Sequence, residues 1–296
     1  MAYIKKQFSI KDLEMLSGIK AHTLRMWEKR YDVLKPNRTE TNIRTYELDD
    51  LQRLLNISFL NENGYKISRI SKLDTLEINE LVKNISSTNK NEDRAIKSLT
   101  LSMYNFDQRL FFETYNSLLK TKTFREIFQE VFIPFLNKIG LLWQTNSIDP
   151  IHEHFISNLI KQKLLLNIEQ LQQQNPSNTS KNFVLFLPED EIHDLGILYI
   201  HFEILLHGYQ AIYLGHSLPL ENLNFVKNIY NNIHFVSYFT VKPDDVDDYL
   251  SKFQSHILDE IDCNYWVLGK KLTTATHKPS DKITFFNSIE ELTRKL

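Results

Sequence analysis

The chain is poorest in cysteine: Cys263 stands alone among 296 residues. One thiol excludes a disulfide framework and every cysteine-cluster metal site, and it suits a reducing cytoplasm. Glycine and proline are scarce as well, at 7 and 8 residues, which excludes collagen-like and low-complexity architectures. No apolar run reaches membrane-spanning length, and the opening residues 1–16 hold no uninterrupted apolar core of the signal-peptide kind. A secreted or membrane-bound protein is therefore not expected, and a cytoplasmic one is. What remains is 42% hydrophobic, 24% charged and 12% aromatic, over a length that admits two or three domains with real cores.

The net charge of −2 hides an asymmetry. Residues 1–73 hold 14 Lys/Arg against 9 Asp/Glu, and the remaining 223 hold 21 against 28. A basic head on an acidic body is expected where only the head meets a polyanion. In the head, Ser9 is placed to cap a short helix, with Asp12 in the capping-box position and Ile10, Leu13 and Leu16 on one face. Gly18 stops that helix. A second follows over 20–31, with Leu24 and Trp27 facing inward and His22, Thr23, Arg25, Lys29 and Arg30 facing out. Two short helices around a glycine turn, the second rich in donors, form a helix-turn-helix whose second member enters a DNA major groove. Residues 34–46 then read as two extended arms around a polar tip, a wing carrying Arg38, Arg44 and Tyr46 toward phosphates. Helical period returns over 47–63, and a further short helix starts near Gly64.

Residues 74–93 are polar and read as a linker, with at most a short helix at its start; 94–174 read as a helical bundle. Pro134 is expected to interrupt one of its helices, and Asp149-Pro150 to separate the last two. Trp143 precedes the pair Glu153-His154 across a helix junction, so that the three would face one common surface; from the residues alone the bundle is either a dimerisation or spacer element or the holder of a ligand-facing site there. His152 and His154, two apart, cannot share a helical face. Residues 175–182 read as a second linker. From 183 to 296, five apolar runs alternate with helices: 183–187, 210–214, 234–239, 265–268 and 283–286. Helices are expected over 193–208, 220–231 and 244–255. This is the pattern of a doubly wound parallel sheet, whose ligands sit beyond the carboxyl ends of the strands. The loop after Leu187 holds Glu191-x-His193-x-x-Gly196, which from the residues alone is either an acidic helix start with an incidental histidine or a ligand site.

The head, through Thr23-Leu24-Arg25-x-Trp27-Glu28-x-Arg30-Tyr31, Arg38, Arg44-x-Tyr46 and Gly64-Tyr65-x-Ile67, resembles the MerR family of winged-helix transcription factors. The Glu191-x-His193-x-x-Gly196 loop resembles the signature of B12-binding domains. That resemblance implies His193 as the cobalt ligand, Glu191 as its orienting partner, and Gly196, Ser217, Ser237 and Gly269 along the nucleotide-tail slot. The chain departs from that family at Gly269-Lys270, where a Gly-Gly pair is usual. In order, the three parts resemble the CarA/CarH/LitR group of cobalamin-dependent repressors. The resemblance implies that Trp143, Glu153 and His154 lie over the upper face of the corrin, and that adenosylcobalamin and light control an oligomer that binds operator DNA. It also implies dimers on pseudo-palindromic sites. In light-sensing members a bundle histidine can take the vacated upper face; here Gln144 follows Trp143, leaving His152 and His154. The expected fold is thus a multidomain α and α/β chain, and the expected function non-enzymatic. Two rivals stand beside it: a regulator whose B12-like domain binds no cobalamin and acts through oligomerisation or a protein partner, and a corrinoid enzyme or methyl-carrier protein that has gained a DNA-binding head.

Overall fold

The structure, a computed structural model, describes residues 7–39, 42–86, 92–144, 148–226, 231–276 and 278–296. The chain divides into two compact units, 1–160 and 161–296.

The first unit opens with α1 (Ile10–Ser17) and α2 (Ala21–Tyr31). The capping box forms as expected: Ser9 N and Oγ both donate to Asp12 Oδ2, and Asp12 N donates back to Ser9 Oγ. Gly18 takes φ +75°, the left-handed conformation that glycine adopts without steric cost, and so turns the chain. The wing is a minimal antiparallel pair, β1 (Asn37–Arg38) and β2 (Arg44–Thr45). Next come α3 (Leu48–Glu62) and α4 (Ile67–Ile70). Leu13, Leu16, Leu24, Trp27, Leu51, Leu54 and Leu60 are buried.

Beyond the head the structure holds more helix than the polar sequence suggested. Residues read as linker form α5 (Thr75–Ser86), whose Ile78 and Val82, one turn apart, are buried. Leu81 beside them is half-buried, and Leu76 is exposed. The bundle is α6 (Glu92–Asn105), α7 (Gln108–Leu119), α8 (Phe124–Ile127), α9 (Ile133–Gln144) and α10 (Pro150–Gln172). Pro134 does not break its helix. A π-helical turn over Phe128–Phe132 joins α8 to α9, and the wider turn absorbs the hydrogen bond that proline cannot make. The second linker is also shorter than expected: α10 ends at Gln172, two residues early, but the first strand of the sheet already begins at Asn178.

The second unit is a five-stranded parallel sheet of β3 (Asn178–Leu185), β4 (Tyr209–Tyr213), β5 (Ile233–Tyr238), β6 (Cys263–Leu268) and β7 (Ile283–Phe285). Its order is β4-β3-β5-β6-β7, so the crossover direction reverses between β3 and β5. Two cores cover its faces. One includes α12 (Val246–Phe253) with Phe235, Phe253 and Tyr265; the other includes α11 (Leu195–Leu206) and α13 (Ile289–Thr293) with Phe183, Trp266 and Leu292. The helix expected over 220–231 is instead a 3-10 turn over Leu220–Phe225; 227–230 lie outside the described residues. The apolar spacing Leu220, Leu223, Val226 is three, the 3-10 repeat, and Phe225, between them, is left 80% exposed.

Burial pushes the imidazoles of His152, His201 and His234 down, His201 to about 4. The unfolded chain takes up a proton on His201 near the usual imidazole value, and the folded one only far below it. Its contribution is therefore intact above the usual value and is lost as pH falls toward 4. Between pH 7 and pH 5 this residue should cost about 2 kcal/mol of stability. In thermal unfolding, His201→Phe should flatten that acid slope; an unchanged slope would show that other groups carry it.

Candidate functional site

On the first unit, α2 presents His22, Arg25, Lys29 and Arg30 exposed, with Thr23 half-buried. At the wing tip Arg38 Nη1 donates to Asn42 Oδ1 at 2.6 Å and stays exposed. Three of the exposed α2 side chains, Arg25, Lys29 and Arg30, are cationic, as is Arg38 on the wing. Arg44 and Tyr46 do something else. Arg44 Nε pairs with Glu28 Oε1 at 3.0 Å, and the Tyr46 hydroxyl donates to Glu28 Oε2 at 3.2 Å. Tyr46 is fully buried, so it braces the wing against α2 and does not face outward. Burial, then the nearby Glu28 carboxylate, raise its hydroxyl well above the usual phenol value. Glu28 is thus the keystone between recognition helix and wing. The sequence did carry a signal for it, since it is the lone acid in an otherwise basic helix.

Of the residues expected over a ligand's upper face, Glu153 and His154 lie in the first turn of α10. Glu153 Oε1 accepts from Ser157 Oγ at 2.9 Å, and its other oxygen lies 3.3 Å from His154 Nδ1, leaving that imidazole largely exposed. Trp143 falls in the last turn of α9, with its side chain outside the described residues. His152 is buried, stacked on Phe106 with ring centroids 4.9 Å apart. Its burial and the exposure of His154 keep the two imidazoles on different sides of α10.

The loop after β3 is the most constrained site of the second unit. Glu191 is completely buried, and its Oε2 accepts three backbone N–H groups, from Thr240, Val241 and Lys242 at 3.1, 2.7 and 2.9 Å. Its Oε1 meets His193 Nδ1 at 2.6 Å and accepts the His193 backbone N–H at 3.0 Å. Burial pushes the Glu191 carboxyl up, but these hydrogen bonds outweigh it and the net direction is down. The carboxylate therefore stays charged and fixes the imidazole ring. The His193 side chain is 52% exposed. With Nδ1 engaged, Nε2 is the nitrogen offered outward, the arrangement that second-shell carboxylates impose on metal-ligating histidines.

Neighbouring segments hold this loop. Ser217 Oγ accepts from Asp190 N at 3.0 Å, and Ser217 N donates to Glu191 O at 3.1 Å, so Ser217 braces the loop. Asp194 Oδ2 pairs with Lys161 Nζ of α10 at 2.5 Å. Gly196 opens α11 against the ring of Tyr238, and Gly269 and Lys270 line a cavity of about 280 Å³ with that same tyrosine. Ser237 lies elsewhere. Strand alternation puts it on the α12 face, buried beside the Tyr265 hydroxyl, while Gly196 and Tyr238 are on the α11 face. Lys270 is exposed.

Residues 8–76 match the MerR HTH family regulatory protein model, and residues 95–166 match the B12 binding domain model. The chain joins a MerR HTH domain to a B12-binding domain and is homologous to transcriptional repressors. It is 25% identical over 214 residues to the HTH-type transcriptional repressor CarH of Myxococcus xanthus, covering 70% of this chain and 70% of CarH. It is 22% identical over 219 residues to the HTH-type transcriptional repressor CarA of the same organism, covering 72% of this chain and 70% of CarA. The monomethylamine corrinoid protein of Methanosarcina barkeri shares its fold, with a TM-score of 0.51 at 12% identity, covering 72% of this chain and 97% of that one. In this regulator the B12-binding match falls on the helices from α6 to α10, while the His193 loop belongs to the sheet. Among the described residues no helix is long and apolar enough to cross a membrane, and no three His, Cys, Asp or Glu side chains converge to hold a metal.

Proposed function

We propose that this regulator binds operator DNA as a homo-oligomer under the control of cobalamin, and that it represses transcription without catalysing a reaction. The observation that carries this reading is the Glu191–His193 brace, a buried carboxylate held by three backbone N–H groups that turns one free imidazole nitrogen outward. A single imidazole suits a cobalt ion already held by the four nitrogens of a corrin. The group supplies a metal whose upper ligand can change, and adenosyl there would add light sensitivity. Trp143, Glu153 and His154 would meet the upper face, and Gly196, Ser217 and Gly269 would lie toward the tail, with Ser237 left on the α12 face.

The coupling to DNA is differential affinity. Moving a population from 1:99 to 99:1 requires that the ligand favour one assembly by about 5.5 kcal/mol. The DNA-facing set is His22, Thr23, Arg25 and Arg30 on α2, with Arg38 at the wing tip. Arg38→Ala should lower the salt slope of operator binding by about one contact. Arg44→Ala should leave the slope unchanged while weakening the head by about 1–2 kcal/mol, because its partner is Glu28. Equal slopes for the two variants in a gel-shift series would contradict this division.

The test of the whole reading is spectroscopic. The protein is mixed in the dark with adenosylcobalamin, desalted, and read before and after green light, with a parallel gel shift on its operator. Retained corrin bands together with a change in operator affinity are the expected result. Operator binding without retained corrin would instead support the regulator whose B12-like domain is empty, a reading favoured by Lys270 in place of the second glycine and by the ring lying on Gly196.

A further inference from the structure

Of the two glycines assigned to the tail slot, Gly196 borders the side chain of Tyr238, and Gly269 shares a cavity with it. A methyl group added at Gly196 would stand 3.1 Å from Cδ1, Cε1 and Cζ of Tyr238, so the ring lies flat against that backbone. The same ring lines the 280 Å³ cavity at the carboxyl ends of β6 and β7, with Gly269, Lys270, Leu272, Phe286 and Ile289. Tyr238 is the last residue of β5, the strand beside which the crossover direction reverses, and β6 and β7 lie beyond it. It therefore stands between the His193 loop and the cavity. The residue is half-buried, and burial, then the Glu290 carboxylate of α13, push its hydroxyl above the usual phenol value.

From this geometry we infer that Tyr238 is a plug in the nucleotide-tail slot, one that must swing out before a corrinoid carrying a base can seat. This rests on the cobalamin reading above. The physical consequence is a conformational tax: apparent affinity falls by the fraction of molecules in which the ring has vacated the slot. A corrinoid without a nucleotide tail escapes the tax, since it has nothing to insert. Tyr238 thereby sets selectivity against base-bearing corrinoids and slows their uptake.

Hydroxocobalamin and diaquocobinamide, which lacks the tail, separate the two effects. Binding of each is measured by absorbance for the full-length protein and for Tyr238→Ala. The variant should bind hydroxocobalamin about tenfold more tightly, as expected if the vacated state is near one-tenth populated, and cobinamide unchanged. Tyr238→Phe, which keeps the ring, should behave as wild type toward both and controls for folding. Equal changes for the two corrinoids, no change, or a selective loss of hydroxocobalamin binding in Tyr238→Ala would overturn the plug. If Tyr238→Ala does not fold, Tyr238→Leu, which removes the flat ring but keeps its bulk, carries the same expectation. Failure of every form to bind either corrinoid would defeat the cobalamin reading itself, and the plug with it.

Discussion

His193→Ala is expected to leave a folded protein that still binds operator DNA but no longer retains cobalamin. The side chain is half exposed and its ring makes one hydrogen bond, to Glu191, so its removal leaves little unfilled volume. What it does remove is the outward nitrogen. Altering a carboxylate partner of a ligating histidine costs about 10–100-fold in metal affinity, and loss of the ligand itself should cost about a hundredfold or more. Absorbance after desalting reads this directly, and operator affinity without ligand serves as the internal control. Glu191→Gln should be intermediate for corrin retention and worse for stability, because Oε2 would no longer offer a charged acceptor to the three N–H groups of 240–242. Since the Glu191 carboxyl is held below its usual value, its contribution is present above the ordinary glutamate range and fades as pH falls through the folded value. Loop stability should therefore weaken on acidification in wild type, and the variant should lack that part of the dependence. Undiminished corrin retention in His193→Ala would move the cobalt ligand elsewhere.

Gly269→Ala is the substitution expected to damage the fold most. Gly269 takes φ +116°, a conformation L side chains rarely adopt, and an added methyl would stand 2.3 Å from Phe239 O and 2.6 Å from Phe239 N. Both are backbone atoms that cannot swing aside. They are also pinned, Phe239 N to Leu268 O at 2.7 Å and Phe239 O to Lys271 N at 3.1 Å. Backbone strain and overpacking together should cost about 4 kcal/mol, lowering the unfolding midpoint by roughly 10 °C or more. Lys270→Gly, restoring the usual glycine pair at an exposed position, should change stability by less than about 1 kcal/mol. A Gly269→Ala midpoint within two degrees of wild type would show that the β5 and β6 ends can separate.

Both results turn on contacts between distant segments, and that is where the sequence stopped being legible. Elements set by near neighbours in the chain could be read from it. The Ser9–Asp12 capping box, the Gly18 turn, the two-strand wing and the five apolar strands each depend on residues a few positions apart or on one repeating period. The Glu191–His193 pairing was implied by the resemblance to B12-binding domains, the residues alone leaving an incidental histidine open as well. Where the local signal was weak or shared by two structures, the reading slipped. The apolar residues of α5 are interspersed with polar ones that suit a linker as well as a helix, and the spacing of three over Leu220, Leu223 and Val226 suits an α-helix as well as the 3-10 turn that forms.

The sequence by itself thus determined the order of the parts, the alternation of strand and helix, and the loop that carries His193. Tertiary structure alone decided that Glu28 ties the wing to α2, that residues 240–242 clamp Glu191 from some 50 positions away, and that Tyr238 lies on Gly196. The physical reason is the same in each case. A capping box or a strand pattern is an energy of adjacent residues, whereas a buried carboxylate or a flat ring against a glycine acquires its partners only when the packed sheet brings remote backbone within hydrogen-bond or van der Waals reach.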